Sequence, residues 1–421
     1  MFRAKKHTPF AIMVIRTVLA CSLTLSMLVA TVQAQSNSST AQQSFDKWLA
    51  GFKQRALREG ISKQTLEQAF KGVFVDDKVL TSDRKQPEFR RTFFQYLNRA
   101  VSSTRVSQGQ SNFRRYQRTL KSVEQKYGIP AEVLTAFWGM ETNYGGYTGN
   151  LSIIQSLATL AYDPRRSDFF SKELIAALKI LDRGHVNLSD MKGSWAGAMG
   201  QVQFMPSNYL KYAIDGDGNG KINLWKSLPD AFHSAGNFLQ TLGWNPDETW
   251  GYEVQLPKNF DYYLADGKVQ KSVAQWNALG IKGKDPTGKT QPNTQAHLIL
   301  PSDYRGPAFL VFDNFKVIKR WNNSNNYALA VGYLSQRIKQ GPKLSKTQPA
   351  NDKNLSLTEL KELQNILNRL GYSAGVADGI AGSKTRNALR AFQKSQNLPA
   401  DGYPSAKILH KLRQLSQTAE R

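Results

Sequence analysis

From Phe45 to about Gly243, apolar residues return every three or four positions, and this spacing constrains the fold more than any other feature of the chain. Phe45, Trp48, Leu49 and Phe52 fall on one helix face, as do Leu174, Ala177, Leu178 and Leu181. Gly and Pro punctuate the pattern. After Trp250 the texture changes. Val254-Gln255-Leu256, His297-Leu298-Ile299-Leu300 and Phe309-Leu310-Val311-Phe312 are short strand-like runs separated by Gly, Pro, Asn and Asp. Helical spacing returns over Tyr327 to Ile338. The pattern predicts a mainly α domain over residues 35–340, with a small β-containing insertion at about 250–315.

Residues 341–354 lack hydrophobic periodicity and carry Gly341, Pro342, Lys343, Ser345, Lys346, Pro349 and Asp352, the composition of a linker. Ser356-Leu357-Thr358-Glu359 then matches a capping box. Leu360, Leu363, Leu367 and Leu370 share the face that follows, and Gly371 closes the helix. Two further short helices, around 384–394 and 405–415, make residues 355–415 a three-helix module at the small end of independent folding.

The N-terminus reads as an address. Arg3, Lys5, Lys6 and Arg16 precede an apolar run from Val18 to Ala30 that is too short to span a bilayer. Val32-Gln33-Ala34 supplies the small residues a signal peptidase needs, so residues 1–34 are expected to be a cleaved signal with a periplasmic destination. Cys21, the single Cys, lies inside the apolar run. Leu19-Ala20-Cys21 is a poor match to a lipid-attachment site, so anchoring there is not expected. One Cys excludes an internal disulfide and a Cys-rich zinc site.

The formal charge of +24 calls for an anionic partner. Removing the four basic residues of the leader leaves the chain strongly basic. Outside the cytoplasm the nearest polyanions are peptidoglycan and the membrane surface, and nucleic acid is not expected.

One carboxylate sits in apolar company. Pro130 starts a helix on which Leu134, Phe137, Trp138 and Glu141 fall at spacings of three and four, ending near Asn143-Tyr144-Gly145-Gly146. Desolvation by aromatic neighbours and the negative end of the helix dipole would both raise the pKa of Glu141. A carboxylic acid that keeps its proton near neutral pH is what a general acid for glycoside cleavage requires. A solvated Glu at a helix end, or one paired with Arg, fits these residues as well. Residues 193–207 (Gly193-Ser194-Trp195-Ala196-Gly197-Ala198-Met199-Gly200-Gln201-Val202-Gln203-Phe204-Met205-Pro206-Ser207) add small residues, two Gln and a Trp. Such a segment lets backbone approach a ligand, or lets helices pack tightly.

Four ordered motifs now resemble a known family. Gly139-Met140-Glu141-Thr142, Ala196-Gly197-Ala198-Met199-Gly200, Gln203-Phe204-Met205-Pro206-Ser207 and Asn219-Gly220 with Asn223-Leu224-Trp225 are similar to those of the B-type lytic murein transglycosylases, over about Phe45 to Ile338. The resemblance implies a lysozyme-like helical catalytic domain acting on peptidoglycan glycan strands. It implies one Glu, here Glu141, as acid and then base, with no cofactor for the chemistry and a 1,6-anhydro-muramoyl product. Asp163, Asp168, Asp182 and Asp190 sit in polar, turn-like company and offer no second carboxylate. Motif matching carries over Ser194 and Gln203 as cleft residues. Arg320-Trp321-Asn322 with Tyr327-Ala328 resembles a later motif bringing Asn322 and Tyr327 to the cleft, although Trp321 stands where a Tyr is expected. From the residues alone, Asn322 is equally a helix N-cap and Tyr327 a core aromatic.

Asp215-Gly216-Asp217-Gly218-Asn219-Gly220-Lys221 matches the first half of an EF-hand loop, with Asp215, Asp217 and Asn219 as side-chain donors and Lys221 giving a main-chain carbonyl. Position 12 is Lys226, where a bidentate Glu belongs. The family resemblance implies a variant loop whose last carboxylate comes later, at Asp230, holding a structural Ca²⁺. An Asx-rich turn without metal is the other reading.

Leu363-Gln364, Leu370-Gly371-Tyr372, Asp378-Gly379-Ile380-Ala381-Gly382, Phe392-Gln393 and Asp401-Gly402 resemble a three-helix peptidoglycan-binding module. Its loop at Asp378 to Ser383 would present N–H groups to peptide carboxylates. A tethered binder of this kind raises the local concentration of substrate at the cleft. A hydrolytic muramidase and a non-catalytic wall-binding protein remain the alternatives.

Overall fold

The computed structural model describes residues 42–84, 91–349 and 354–419, so the expected leader, with Cys21, lies outside the described residues. The three-and-four spacing becomes helix almost throughout the first half. On the helix over residues 42–58, Phe45, Leu49 and Phe52 are buried, and Trp48 stacks on Phe45 and Phe52 with ring centroids 5.5 and 5.3 Å apart. Helices Ile153–Tyr162 and Ser167–Asp182 pack on each other, burying Leu174, Ala177 and Leu178. Among the described residues no helix is long and apolar enough to cross a membrane.

The helix Ala131–Thr142 runs through the middle of this body. Its spacing predicts one apolar stripe, but the structure buries Ala131, Val133, Leu134, Thr135, Ala136, Phe137, Trp138, Gly139 and Thr142, most of its circumference. Helices Ser103–Arg115, Gln117–Tyr127, Leu228–Thr241 and Asn325–Ile338 surround it. A helix enclosed on all sides has no polar face to pattern, so one-face periodicity undercounts its burial. The buried Thr135 hydroxyl is satisfied locally, donating to the Ala131 carbonyl at 2.7 Å.

Two small sheets complete the domain. Strand β1 (Leu151–Ser152) pairs antiparallel with β2 (Lys192–Gly193) beside the segment 193–207. The insertion is a four-stranded antiparallel sheet of β3 (Gly251–Val254), β4 (Asp266–Ser272), β5 (Gln295–Ile299) and β6 (Ala308–Val311), in the order β3-β6-β5-β4. Alternation sends Ile299, Phe309 and Val311 into the helical core, and Ala296, Leu298, Ala308 and Leu310 into a second core around Trp276. The expected strand around Val254 ends there rather than at Leu256, and β4 has no apolar signature. As an edge strand of mixed polar residues with a register shift between Asp266 and Gln270, it gives the sequence little to read.

Beyond the helix Asn325–Ile338 the chain stays attached to the body. The Leu344 N–H donates to the Tyr333 hydroxyl at 3.3 Å, and Ser345 donates its N–H and hydroxyl to Glu253 at 2.8 and 2.9 Å. The C-terminal helices Leu357–Arg369, Ser383–Ser395 and Ala406–Ala419 close on Leu363, Leu367, Leu389, Phe392, Leu409 and Leu412. The predicted capping box is present: Glu359 N–H donates to the Ser356 hydroxyl, and Ser356 N–H donates to the Glu359 carboxylate. This module rests on the β insertion. The Tyr304 N–H donates to Asp401 at 2.9 Å, Arg390 reaches the Ala265 carbonyl at 3.5 Å, and the Lys394 ammonium lies 5.0 Å from the Tyr263 ring centroid.

Candidate active site

The enclosed helix ends abruptly, and the ending places Glu141. Asn143 and Tyr144 both adopt left-handed backbone (φ 52° and 59°), and the Asn143 N–H donates back to the Gly139 carbonyl at 3.1 Å. The turn folds the Tyr144 ring onto Gly139, where an added Cβ would lie 2.6 Å from a ring carbon, so the helix needs Gly there. The Tyr144 hydroxyl then donates to the Arg105 carbonyl at 2.8 Å. Thr142 is buried and donates to the Gln201 carbonyl at 2.9 Å, while its oxygen accepts the Gly145 N–H at 3.0 Å. Glu141, one residue before this locked corner, is half-buried.

Tyr327 meets it from the neighbouring helix. The Tyr327 hydroxyl donates to the Glu141 carboxylate. Ser324 caps the Tyr327 helix by accepting the Tyr327 N–H at 3.3 Å. Burial above all, and then the negative charge of Glu141, push the Tyr327 phenol well above its ordinary range. It therefore remains a donor. Tyr327 is a core aromatic, as one reading of the sequence expects, and the same buried ring carries the hydroxyl that reaches Glu141.

The other sequence candidates are held by contacts of their own. Ser194 Oγ accepts the Ala198 N–H at 3.0 Å and closes the turn after β2. Gln203 has left-handed backbone (φ 49°) and donates its amide to the Thr148 and Gly200 carbonyls at 3.0 and 3.1 Å, joining the segment 193–207 to the loop after Glu141. Asn322 is exposed at the C-terminal end of the helix Asp313–Trp321, so it is not a helix N-cap; Ser324 is. Trp321, in place of the expected Tyr, packs on Phe137, Phe204 and Phe238 with centroids 4.6, 5.5 and 5.2 Å away. It supports the Glu141 helix from behind.

Two further side chains hold the elements around Glu141 in ways the sequence does not announce. Gln201 accepts the Trp138 indole N–H at 2.8 Å and donates to the Trp225 carbonyl at 3.0 Å, tying the Glu141 helix to the loop at 224–225. Its signal in the sequence is its place as one of the two Gln in the small-residue segment 193–207. Glu173 is a buried carboxylate on the helix Ser167–Asp182, but its two oxygens accept the Ser207 N–H at 2.9 Å and hydroxyl at 2.7 Å, capping the helix Pro206–Tyr212.

The loop from Asp215 brings one carboxylate oxygen each of Asp215, Asp217 and the fully buried Asp230 within 4.8 Å of one another. Lys226, the misfit at position 12, turns away to pair with Asp190 at 2.8 Å. Asp230 sits in the first turn of the helix Leu228–Thr241 and accepts the Gly216 and Asn223 N–H groups at 2.9 and 2.7 Å. Asp215 accepts from Gly220, Gly218 and Asn219, and those N–H groups hold its carboxyl below the usual range. The Asn219 side chain accepts the Lys221 N–H at 2.8 Å.

Comparison with known proteins gives the family of the chain. A family model described as a transglycosylase SLT domain matches residues 44–336, and one described as a putative peptidoglycan binding domain matches residues 356–412. The membrane-bound lytic murein transglycosylase B of Escherichia coli (strain K12) is 32% identical over 312 residues, covering 72% of this chain and 83% of that protein. The crystal structure of SltB3 from Pseudomonas aeruginosa with NAG-anhNAM-pentapeptide matches with a TM-score of 0.84 at 46% identity, over 88% of this chain and all of that one. The Escherichia coli lytic transglycosylase Slt35 in complex with calcium matches with a TM-score of 0.60 at 29% identity, over 71% of this chain and 93% of that one.

Proposed function

The chain belongs to the transglycosylase SLT family, and on that premise we propose that Glu141 alone carries both proton transfers of its reaction. The protein is a lytic transglycosylase of peptidoglycan, a carbon–oxygen lyase built on a lysozyme-like helical fold. The observation that carries the assignment is the Glu141–Tyr327 pair at the corner of an enclosed helix. Glu141 protonates the oxygen joining N-acetylmuramic acid to N-acetylglucosamine. The substrate's acetamido group stabilises the cation as the bond breaks. Glu141, now a carboxylate, takes the proton of the muramoyl O6 hydroxyl as that oxygen attacks C1, and a 1,6-anhydro end forms without water.

Tyr327 holds the carboxylate through both steps, its hydrogen bond strengthening when Glu141 is ionised. Gln203 and Ser194 shape the wall of the cleft, and Asn322 offers an amide at its rim. Glu173 cannot serve as a second catalytic carboxylate while it caps the Ser207 helix. Mass spectrometry of products from purified peptidoglycan tests the reading. Anhydro-muramoyl ends from the parent protein and their loss in Glu141→Gln are expected; reducing ends alone would make the enzyme a hydrolase and remove the mechanism.

The donor set at Asp215, Asp217, Asn219 and Asp230, with the Lys221 carbonyl, suits Ca²⁺: all oxygen, with the Asp215 and Asp230 carboxylates fixed by backbone donors. A bound ion would fasten the loop at 215–221 to the helix that packs against the Glu141 helix, a structural role. Chelation should lower Tm and Ca²⁺ should restore it, by about 3 kcal/mol at a hundredfold excess over Kd. Asp230→Asn should abolish the response.

We place the mature enzyme in the periplasm, released by cleavage after Ala34; N-terminal sequencing of the exported protein tests this. The catalytic unit is taken as residues 35–340, joined through 341–354 to a wall-binding unit at 355–415.

A further inference from the structure

The C-terminal module contains the same loop twice. In the first copy Gln364 donates to Asp378 Oδ1 at 3.1 Å and accepts the Gly379 N–H at 2.8 Å, while the Ile380 N–H closes on Asp378 Oδ1 at 2.8 Å. In the second, Gln393 donates to Asp401 Oδ1 at 2.7 Å and accepts the Gly402 N–H at 2.7 Å, while the Tyr403 N–H closes on Asp401 Oδ1 at 2.9 Å. Both glycines have left-handed backbone, φ 80° and 71°. Both Gln side chains are buried. In each copy the Gln side chain and the N–H two residues on both donate to Oδ1, and neither donates to Oδ2.

The second copy shows what that other oxygen binds. Asp401 Oδ2 accepts the backbone N–H of Tyr304, from a different part of the chain. Asp401 is buried beneath that contact. Asp378 is exposed, and among the described residues no group donates to its Oδ2. Around it lie Val376, Ile380 and Leu357, apolar side chains that are 83%, 59% and 46% exposed. Leu357 borders Gly379, where an added Cβ would lie 2.4 Å from a Leu357 methyl. Lys361 is close enough for its charge to act on Asp378, and the Lys384 side chain runs beside Gly375; both are exposed.

We propose that the Asp378–Ile380 loop is a peptide-binding site that takes the stem peptide of peptidoglycan as its twin takes the Tyr304 backbone. A main-chain N–H of the stem donates to Asp378 Oδ2. Its alanyl methyl groups cover Val376, Ile380 and Leu357, and its carboxylates meet Lys361 and Lys384. The assignment rests on the peptidoglycan reading of the chain and adds to it the part of the polymer that is gripped, the peptide rather than the sugar.

Asp378→Asn tests this in the full chain, made non-cleaving by Glu141→Gln. Asparagine keeps Oδ1 for Gln364 and Ile380 but turns an NH₂ toward the ligand's N–H. Binding of a free stem pentapeptide, measured by calorimetry, should weaken about tenfold, the loss of one hydrogen bond to a charged acceptor. Pull-down on intact peptidoglycan should fall likewise, with Tm unchanged. A second variant, Val376→Ser with Ile380→Ser, should weaken binding of the same peptide while leaving the core intact. Glycan strands stripped of peptides by an amidase should not compete. Equal pentapeptide affinity in parent and Asp378→Asn, or competition by stripped glycan equal to that by intact wall, overturns the proposal. These readouts are of binding, so a hydrolytic product spectrum would sink the transglycosylase mechanism without touching them.

Discussion

Glu141 depends on a hydroxyl that arrives from 186 residues away. Tyr327→Phe deletes that donor and little else, since the ring stays packed 6.3 Å from Phe137. A hydrogen bond to a charged group is worth about 1.5–3 kcal/mol, so kcat should fall about 10- to 100-fold with wall binding unchanged. Stopped assays on purified peptidoglycan would show it. Because its phenol is pushed upward by burial, Tyr327 stays protonated through the working range, and the alkaline limb of the rate profile in the parent enzyme should not report its ionisation. Glu141 itself was legible: a carboxylate at the end of an apolar helix, inside a motif string. Its pairing with Tyr327 was not, because no local spacing links two helices so far apart. The partners of Gln201 were not legible for a related reason: the Trp138 indole and the Trp225 carbonyl are brought to it only by the fold.

The helix Ala131–Thr142 is the element on which the site depends, and its sensitive point is a residue with no side chain. Gly139→Ala would drive a methyl into the Tyr144 ring, costing about 1–3 kcal/mol by overpacking and shifting the corner that aims Glu141. Thermal unfolding should show a lowered Tm, and activity should drop by more than the folded fraction explains. Helices with an exposed face announced themselves through periodicity and capping, as at Ser356 and Glu359. The strand β4 did not, because a polar edge strand is defined by its partner β5 rather than by its own residues. The Asp230 ligand candidate lay between these cases: the loop motif was local, whereas its last carboxylate comes from the following helix.

At the scale of the whole molecule, the linker composition suggested a module on a leash, and the structure shows a module in contact. Linker chemistry is legible as polar and Pro-rich, but whether the units it joins adhere is decided by contacts such as that of Tyr304 with Asp401, residues 97 positions apart that no sequence spacing links. Asp401→Asn should release that contact selectively, since asparagine can still accept from Gln393 and Tyr403 while opposing the Tyr304 N–H with a donor. A loss of about 1–3 kcal/mol is expected. Small-angle scattering should then report a larger radius of gyration, with kcat on short soluble glycans unaltered. In the parent enzyme the clasp between Tyr304 and Asp401 puts anchor and scissile pocket in one frame of reference. Such a protein measures along the strand more than it reaches, so the severed bond lies at a set offset from the muropeptide being held. Fragment lengths should then cluster around preferred values, and loosening the clasp should smear them.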